Sequence, residues 1–458
     1  MEESRRSSGK CQKISGGEQN MTSVDRLSSL PDEVICHILS FLPTKLSVAT
    51  SVLGRRWRFL WVHVPCLNFS RNDFPDETED SDISEDDFTG QTKYSDIIHR
   101  VILLHEAKRM DTFMLDFMDC NEYHLETWIN FAIKRNVRNL YLDMDLPMGI
   151  FPPRLLFTCQ TVVDMRIYRC VEIRSSLYIH LPSLKKLYLY DADFENDEAL
   201  PHLLSGCPLL EKLTMSVHLT EKEKYLGCIN VSSPTLKTLE IDLLHIFEDD
   251  IPDYRILINA QALRHLRMVN CHLGCVTNLA NMTSLAEASI RVEGPFYLFV
   301  DIGSNSNVVK FLDSLCNVKC LRMTSYGAEE VFEIGFAGSI AKFGNLTKLE
   351  LELSDEWHLL ADLLEVADNL QLLIFGEGEF DMVRYLLKNS RLLEKMEILP
   401  LDDKSVPNNL SEGNNLKMAF DALERISLFE RGSTVCQLAF YSGERAAMAS
   451  NSRNWSSS

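Results

Sequence analysis

The sequence predicts an α/β protein: a short three-helix module, then a curved solenoid of repeats with parallel strands on its concave face. Two observations carry this. A compact apolar segment runs from Asp25 to Phe69, and an apolar-x-x-apolar-x-apolar pattern recurs along most of the chain after it. Between them lies the run from Asp73 to Phe88 (DFPDETEDSDISEDDF), which contains no Lys or Arg.

A length of 458 residues exceeds what one ordinary core organises, leaving several domains or one extended array. Hydrophobic residues at 45% and charged residues at 24% are ordinary for a folded chain. The formal net charge of −20 repels phosphate backbones and anionic bilayers, so neither nucleic acid nor membrane is an expected partner. No apolar run reaches the length of a bilayer span, and the first residues lack the apolar core of a secretory signal. Cytoplasm, nucleus or both is therefore the expected location. The thirteen cysteines are scattered singly, which argues against a disulfide framework. Cys271 with Cys275, and Cys316 with Cys320, are spaced more widely than tight zinc knuckles prefer, so no metal or cofactor is expected.

The repeating pattern includes Val137/Leu140/Leu142, Val162/Met165/Ile167, Leu184/Leu187/Leu189, Leu210/Leu213/Met215, Leu236/Leu239/Ile241 and Leu263/Leu266/Met268, and continues to Leu393/Met396/Ile398. Met110/Phe113/Leu115 is a candidate first copy and Leu423/Ile426/Leu428 a candidate last one. Leu187, Leu213, Leu239 and Leu266 stand 26, 26 and 27 residues apart, the length of one leucine-rich repeat. Between strands, LPHLLSGCPLLEKLTM (200–215) aligns with VRYLLKNSRLLEKMEI (383–398). In both, a Leu-Leu pair ends a helix, and Gly206 or Asn389 can take the left-handed cap conformation. Each unit thus reads as a helix followed by a short strand, whose apolar face only stacked neighbours can bury. Cys170 and Cys271 fall three residues after the third apolar position, where a small polar side chain bonds the turn backbone.

In the N-terminal module, Pro31 suits the start of a helix, and Asp32 and Glu33 complement its dipole. Val34, Ile35, Ile38, Leu39 and Leu42 form an apolar stripe at helical spacing. Pro43 stops that helix and Thr44 can cap the next. So small a piece has more apolar surface than it can hide, so a partner is expected to cover it. The resulting division is a disordered start (1–24), the helical module (25–70), an acidic linker (71–95), the solenoid (96–375), a further repeat-like region (376–440) and a disordered tail (441–458).

Leu30-Pro31 ahead of a helix, then Val52-Leu53 before Arg55-Arg56-Trp57 and Trp61, resembles the F-box in its plant form. The resemblance implies docking to a Skp-type adaptor and, through it, to cullin and RING subunits. Leu30, Pro31, Ile35, Leu39, Leu42, Val52 and Trp57 match the motif's apolar contact and core positions, while Gly54 stands where Ser is common. WINFAIKRNVRNLYLDM, LPSLKKLYLYDADF and YLLKNSRLLEKMEI resemble plant F-box proteins with leucine-rich repeats and a C-terminal FBD domain. That domain's Trp-Pro strand and Val-Pro-x-Cys-Leu stretch are missing here, which makes 376–440 a shortened FBD-like end.

No phosphate-binding glycine loop, G-x-S-x-G elbow or H-E-x-x-H helix occurs, so the chain reads as non-catalytic. The implied role is the substrate-recognition subunit of a Skp–cullin–F-box ubiquitin ligase. Alternatives are a scaffold that directs no ubiquitylation and a small-molecule sensor. Client contacts are expected on the concave strand positions, with Arg166, Tyr188, Tyr190, Arg267, Arg291 and Arg322 the candidates. Arg267, Arg291 and Arg322 are expected to form one electropositive patch for an acidic or phosphorylated client.

Overall fold

The computed structural model describes residues 27, 29–73, 89–118, 122–145, 153–219, 227–245, 254–271, 275–279, 282–293, 302–326, 342–352, 367–376, 393–399 and 436–440. The strands are β1 (Cys66–Phe69), β2 (Thr112–Met118), β3 (Asn139–Asp145), β4 (Asp164–Ile173), β5 (Lys186–Phe194), β6 (Lys212–Leu219), β7 (Cys228–Ser232), β8 (Thr238–His245) and β9 (Arg255–Asn259). They continue with β10 (His265–Val269), β11 (Val276–Leu279), β12 (Glu287–Glu293), β13 (Cys320–Tyr326), β14 (Lys348–Glu352), β15 (Leu372–Gly376), β16 (Lys395–Leu399) and β17 (Gln437–Phe440). The helices are α1 (Asp32–Leu39), α2 (Thr44–Ala49), α3 (Thr89–Leu104), α4 (Glu122–Lys134), α5 (Ala199–Ser205) and α6 (Ile302–Ser314).

One parallel sheet of 14 strands runs from β1 to β17 in sequence order, skipping only β7, β9 and β11. Its register places the second apolar residue of each repeat beside its counterpart: Leu187 on Leu213, Leu213 on Leu239, and Leu239 on Leu266. These four are at most 2% exposed. An alternating strand turns one set of side chains inward, and here every inward set lands on the next, giving one continuous core.

Behind the sheet, the expected helix is replaced by a strand in three consecutive repeats. β7, β9 and β11 form a second parallel sheet in the order β11-β9-β7. In CINVS and RILIN β-branched residues occupy alternate positions, and Ile229, Val231, Ile256 and Ile258 are fully buried. These connections lack a helical apolar stripe, so the period of two prevails. Gly206 also departs from expectation. It is right-handed (φ −78°), and its smallness serves a close approach instead: a Cβ there would lie 2.6 Å from Ile179 Cγ2 and 2.7 Å from its carbonyl oxygen. Cys271 is buried and its thiol donates to Val269 O at 3.4 Å, the turn bond its position suggested.

The helical module is not held apart from the solenoid. Its last segment is β1, which pairs in register with β2, Leu67 beside Phe113 and Phe69 beside Leu115. Thr44, expected as a cap, buries its hydroxyl and accepts the Asn68 N–H at 2.7 Å, tying α2 to β1. Trp61, Val62, Leu67 and Phe69 belong to the main core, whereas Ile35, Leu39, Trp57, Leu60 and Val64 form a small separate one. Of the segment read as linker, residues 74–88 lie outside the described residues; α3 begins at Thr89 and Arg71 reaches Asp116 at 2.5 Å. His105 seals the joint. It is 3% exposed, its Nε2–H donates to Val64 O at 2.8 Å, and Arg135, lying over the Phe131 ring, donates to His105 O at 3.2 Å.

Two outcomes follow from this joint. Deleting residues 1–70 removes β1 and uncovers Phe113 and Leu115, so the truncated chain should elute as aggregate in size-exclusion chromatography; a monodisperse product would contradict the shared sheet. Burial lowers the His105 pKa from 6.5 to about 4. A lowered folded-state value means that the neutral ring is favoured, so its stabilisation is complete above about pH 6.5 and lost as pH falls towards 4. Urea unfolding across that window should show the loss, and His105→Gln should show a shallower one.

Candidate functional site

Helix α1 and the turn that follows it carry two parallel apolar rows. Ile35 and Leu39, with half-buried Leu42, face Trp57 and Leu60 in the small core, at 0%, 2%, 5% and 5% exposure for the four buried ones. Val34, Ile38 and Phe41, one position earlier in each case, face outward at 42%, 38% and 75%. Both rows share the i, i+4, i+7 spacing, so the sequence shows a face too wide for one core without saying which half is inside. Val52 is 86% exposed and Leu53 64%, on the 3-10 turn Thr50–Leu53. Leu46 and Phe59 are also exposed. Among the sequence-derived candidates, Pro31 and Val52 are therefore open to a partner, Leu30 and Leu42 are half-buried, and Ile35, Leu39 and Trp57 are core. Val34, Ile38, Phe41, Leu46, Leu53 and Phe59 were missing from that set. Arg56 fixes the helix start, bonding Asp32 at 2.5 Å and the Leu30 carbonyl.

On the open face of the long sheet, one register row runs Tyr141, Arg166, Tyr188, Thr214, Glu240, Arg267, Ser289, Arg322, Glu350. Its early part is a packed tyrosine–arginine platform. The Arg166 guanidinium lies 4.9 Å from the Tyr141 ring centre and 4.5 Å from that of Tyr188, and bonds Asp164 at 3.4 Å. Tyr168 stacks on Tyr190 with centres 4.5 Å apart. Burial pushes the Tyr190 phenol up to about 12, so it stays a neutral donor. Bulges sit beside this pair: the registers shift after Tyr168 and after Leu189, and Asp191 is left-handed (φ 56°), its N–H held by Ser216 Oγ at 2.8 Å.

The three arginines do not form the expected run of like charge. Arg322 is ion-paired with Glu350 on the next strand. Arg267 has Glu240 beside it in register, and Arg291 lies one row further along, between Val269 and Thr324. The carboxylates beside Arg267 and Arg322 come from the strands flanking these three, β8 and β14, which the pattern within one strand does not show. A polar groove of about 420 Å³ opens where β13 to β16 begin, near Lys319, Thr347 and Glu394; it is solvent-open, unlike the enclosed apolar pockets that hold small molecules.

The F-box domain model matches residues 27–69, and the model for the leucine-rich repeats of FBD-associated F-box protein At5g56370 matches residues 125–289. A putative FBD-associated F-box protein of Arabidopsis thaliana, At5g56440, is 30% identical over 91% of this chain and 100% of its own length. This chain belongs to the plant F-box/FBD/leucine-rich-repeat family. The F-box/LRR-repeat protein At4g14103 is 31% identical over 77% of the chain and 92% of its own length, and the F-box/FBD/LRR-repeat protein At3g52680 27% over 91% and 93%, both from the same plant. The F-box match ends at Phe69, so this F-box includes the first strand of the repeat sheet. In the region read as a shortened FBD, β16 and β17 extend the sheet, and the helix expected at 383–392 lies outside the described residues.

Inner and outer residues of the F-box should separate experimentally. Ile35→Ala should lower stability by about 2–5 kcal/mol in chemical denaturation. Val52→Asp with Leu53→Asp should leave the unfolding midpoint nearly unchanged and abolish co-purification of a Skp-type adaptor. Retained co-purification would move the contact elsewhere.

Proposed function

We propose that this F-box protein is the substrate-recognition subunit of a Skp–cullin–F-box ubiquitin ligase. The F-box docks the Skp-type adaptor, the adaptor brings the cullin and RING subunits, and the open sheet face holds a client protein. The observation that carries the reading is the distribution of exposed apolar side chains. Among the described residues, eight of fifteen large ones fall between Leu27 and Phe59. Burying such side chains in a partner contributes about 25 cal/mol per Å² of apolar surface, which suits a permanent subunit contact. The joint through β1 supports the same role, because it puts the F-box and the client face in one continuous sheet. The chemistry of ubiquitin transfer falls to other subunits, and the site of action is the cytoplasm, the nucleus or both.

Reconstitution tests the proposal. The full chain with adaptor, cullin and RING subunits should assemble into one complex and support ubiquitylation of proteins that co-purify with it. Val52→Asp with Leu53→Asp should lose both assembly and ubiquitylation. If the adaptor binds but the cullin complex never modifies co-purifying proteins, the protein is a scaffold.

A further inference from the structure

The edge of the long sheet where its strands begin carries a charge opposite to that of the whole chain. Backbone hydrogen bonds stack the residues just before each strand into one ladder. Val163 N–H donates to Arg138 O at 2.7 Å, Lys185 to Val163 at 2.9 Å, Glu211 to Lys185 at 2.8 Å and Lys237 to Glu211 at 2.8 Å. Arg264 then donates to Lys237 at 2.8 Å, Ala286 to Arg264 at 2.9 Å and Lys319 to Ala286 at 2.8 Å. These eight rungs hold five Lys or Arg and one Glu, in a chain of net charge −20. Arg138, Lys185, Lys237, Arg264 and Lys319 are all exposed, and Lys186, the first residue of β5, adds a sixth exposed cation. Glu211 is shared by Lys185 at 3.5 Å and Lys237 at 2.8 Å, so it cannot neutralise the edge.

The row nearer the strand ends holds Asp116, Asp143, Tyr168 and Tyr190, with Asp242 and Arg291 further along, and Arg71 pairs with Asp116 and Asp143. The tyrosine platform is reached directly from the basic side: Lys212, one strand from Lys186, sits 5.3 Å from the Tyr188 ring centre. Eight rungs span roughly 34 Å at the usual strand spacing, enough for an extended segment of about ten residues.

We propose that the basic edge and the tyrosine platform together take an acidic segment of the client that carries an aromatic or other apolar anchor. This rests on the client-receptor reading and names the chemistry of the client. Carboxylates lie along the Arg138–Lys319 ladder, and the anchor packs on Tyr168 and Tyr190, which are already stacked and lose little freedom on binding. A nucleic acid offers negative charge too, but its length would bring further phosphates against an acidic molecule.

The full chain, purified with its adaptor, can be titrated by fluorescence anisotropy against four labelled probes. They are a Glu/Asp peptide with a central Phe, the same peptide with Ser for Phe, its counterpart with Lys for the acids, and a single-stranded RNA of equal charge. The acidic Phe peptide should bind about tenfold or more tightly than the Lys peptide and the RNA, and weaken with added salt. Lys186→Glu with Arg264→Glu should weaken both acidic peptides about tenfold and flatten the salt dependence, while Tyr190→Ala should weaken only the Phe peptide. Equal binding of acidic and Lys peptides, RNA binding as tight as peptide, or charge reversal without effect would each overturn the proposal. The salt titration and probe ranking on the unaltered protein decide the matter even if a variant misfolds. Adaptor binding in the same preparation reports separately on the receptor reading.

Discussion

A single repeat of this protein has a strand whose inward side chains nothing within that repeat can cover. Leu213 is fully buried because Leu187 and Leu239 lie on either side of it in register, and each of these depends on its own neighbour in turn. Parallel pairing at one fixed register is the constraint from which the rest follows. It aligns the apolar positions into a core, and by the same alternation aligns the outward positions into rows on the open face. A one-residue slip in any strand would turn leucines out and arginines in.

The same constraint explains why the F-box and the repeats are one structure. The first strand after the F-box, β2, needs a neighbour, and Cys66–Phe69 provides it from within the F-box. Thr44, His105 and Arg135 then satisfy backbone groups across the joint that would otherwise be buried without partners. The F-box keeps a core of its own, with five buried residues at its centre, and much of its remaining apolar surface points outward. A module built this way is stabilised on one side by the solenoid and on the other by whatever covers Val52 and Phe41.

On the open face, pairing decides which charges act. Lys212 with Glu240 at 2.8 Å, Arg322 with Glu350, and Arg166 with Asp164 are each settled locally, by carboxylates on the same or adjacent strands. Pairs of this kind, with side chains 10–28% exposed, remove like-charge runs that a one-strand reading would expect. Exposed cations line the strand starts, where Lys185 and Lys237 share Glu211 and where Arg138, Lys186, Arg264 and Lys319 reach solvent.

The sequence by itself determined the repeat length, the inward positions, the F-box and the family resemblance, because each is a pattern within one strand, one helix or one motif. Leu187, Leu213, Leu239 and Leu266 could be placed from spacing alone, and are buried as that spacing requires. The tertiary structure decided which of two equally spaced rows on the first F-box helix faces inward, since that depends on Trp57 and Leu60 returning from later in the chain. It also decided that three repeats use a strand behind the sheet, that Gly206 serves a close contact with Ile179, and that Arg322 meets Glu350. All of these rest on residues about one repeat apart in sequence and in contact in space, a distance at which local periodicity carries no information and only packing does.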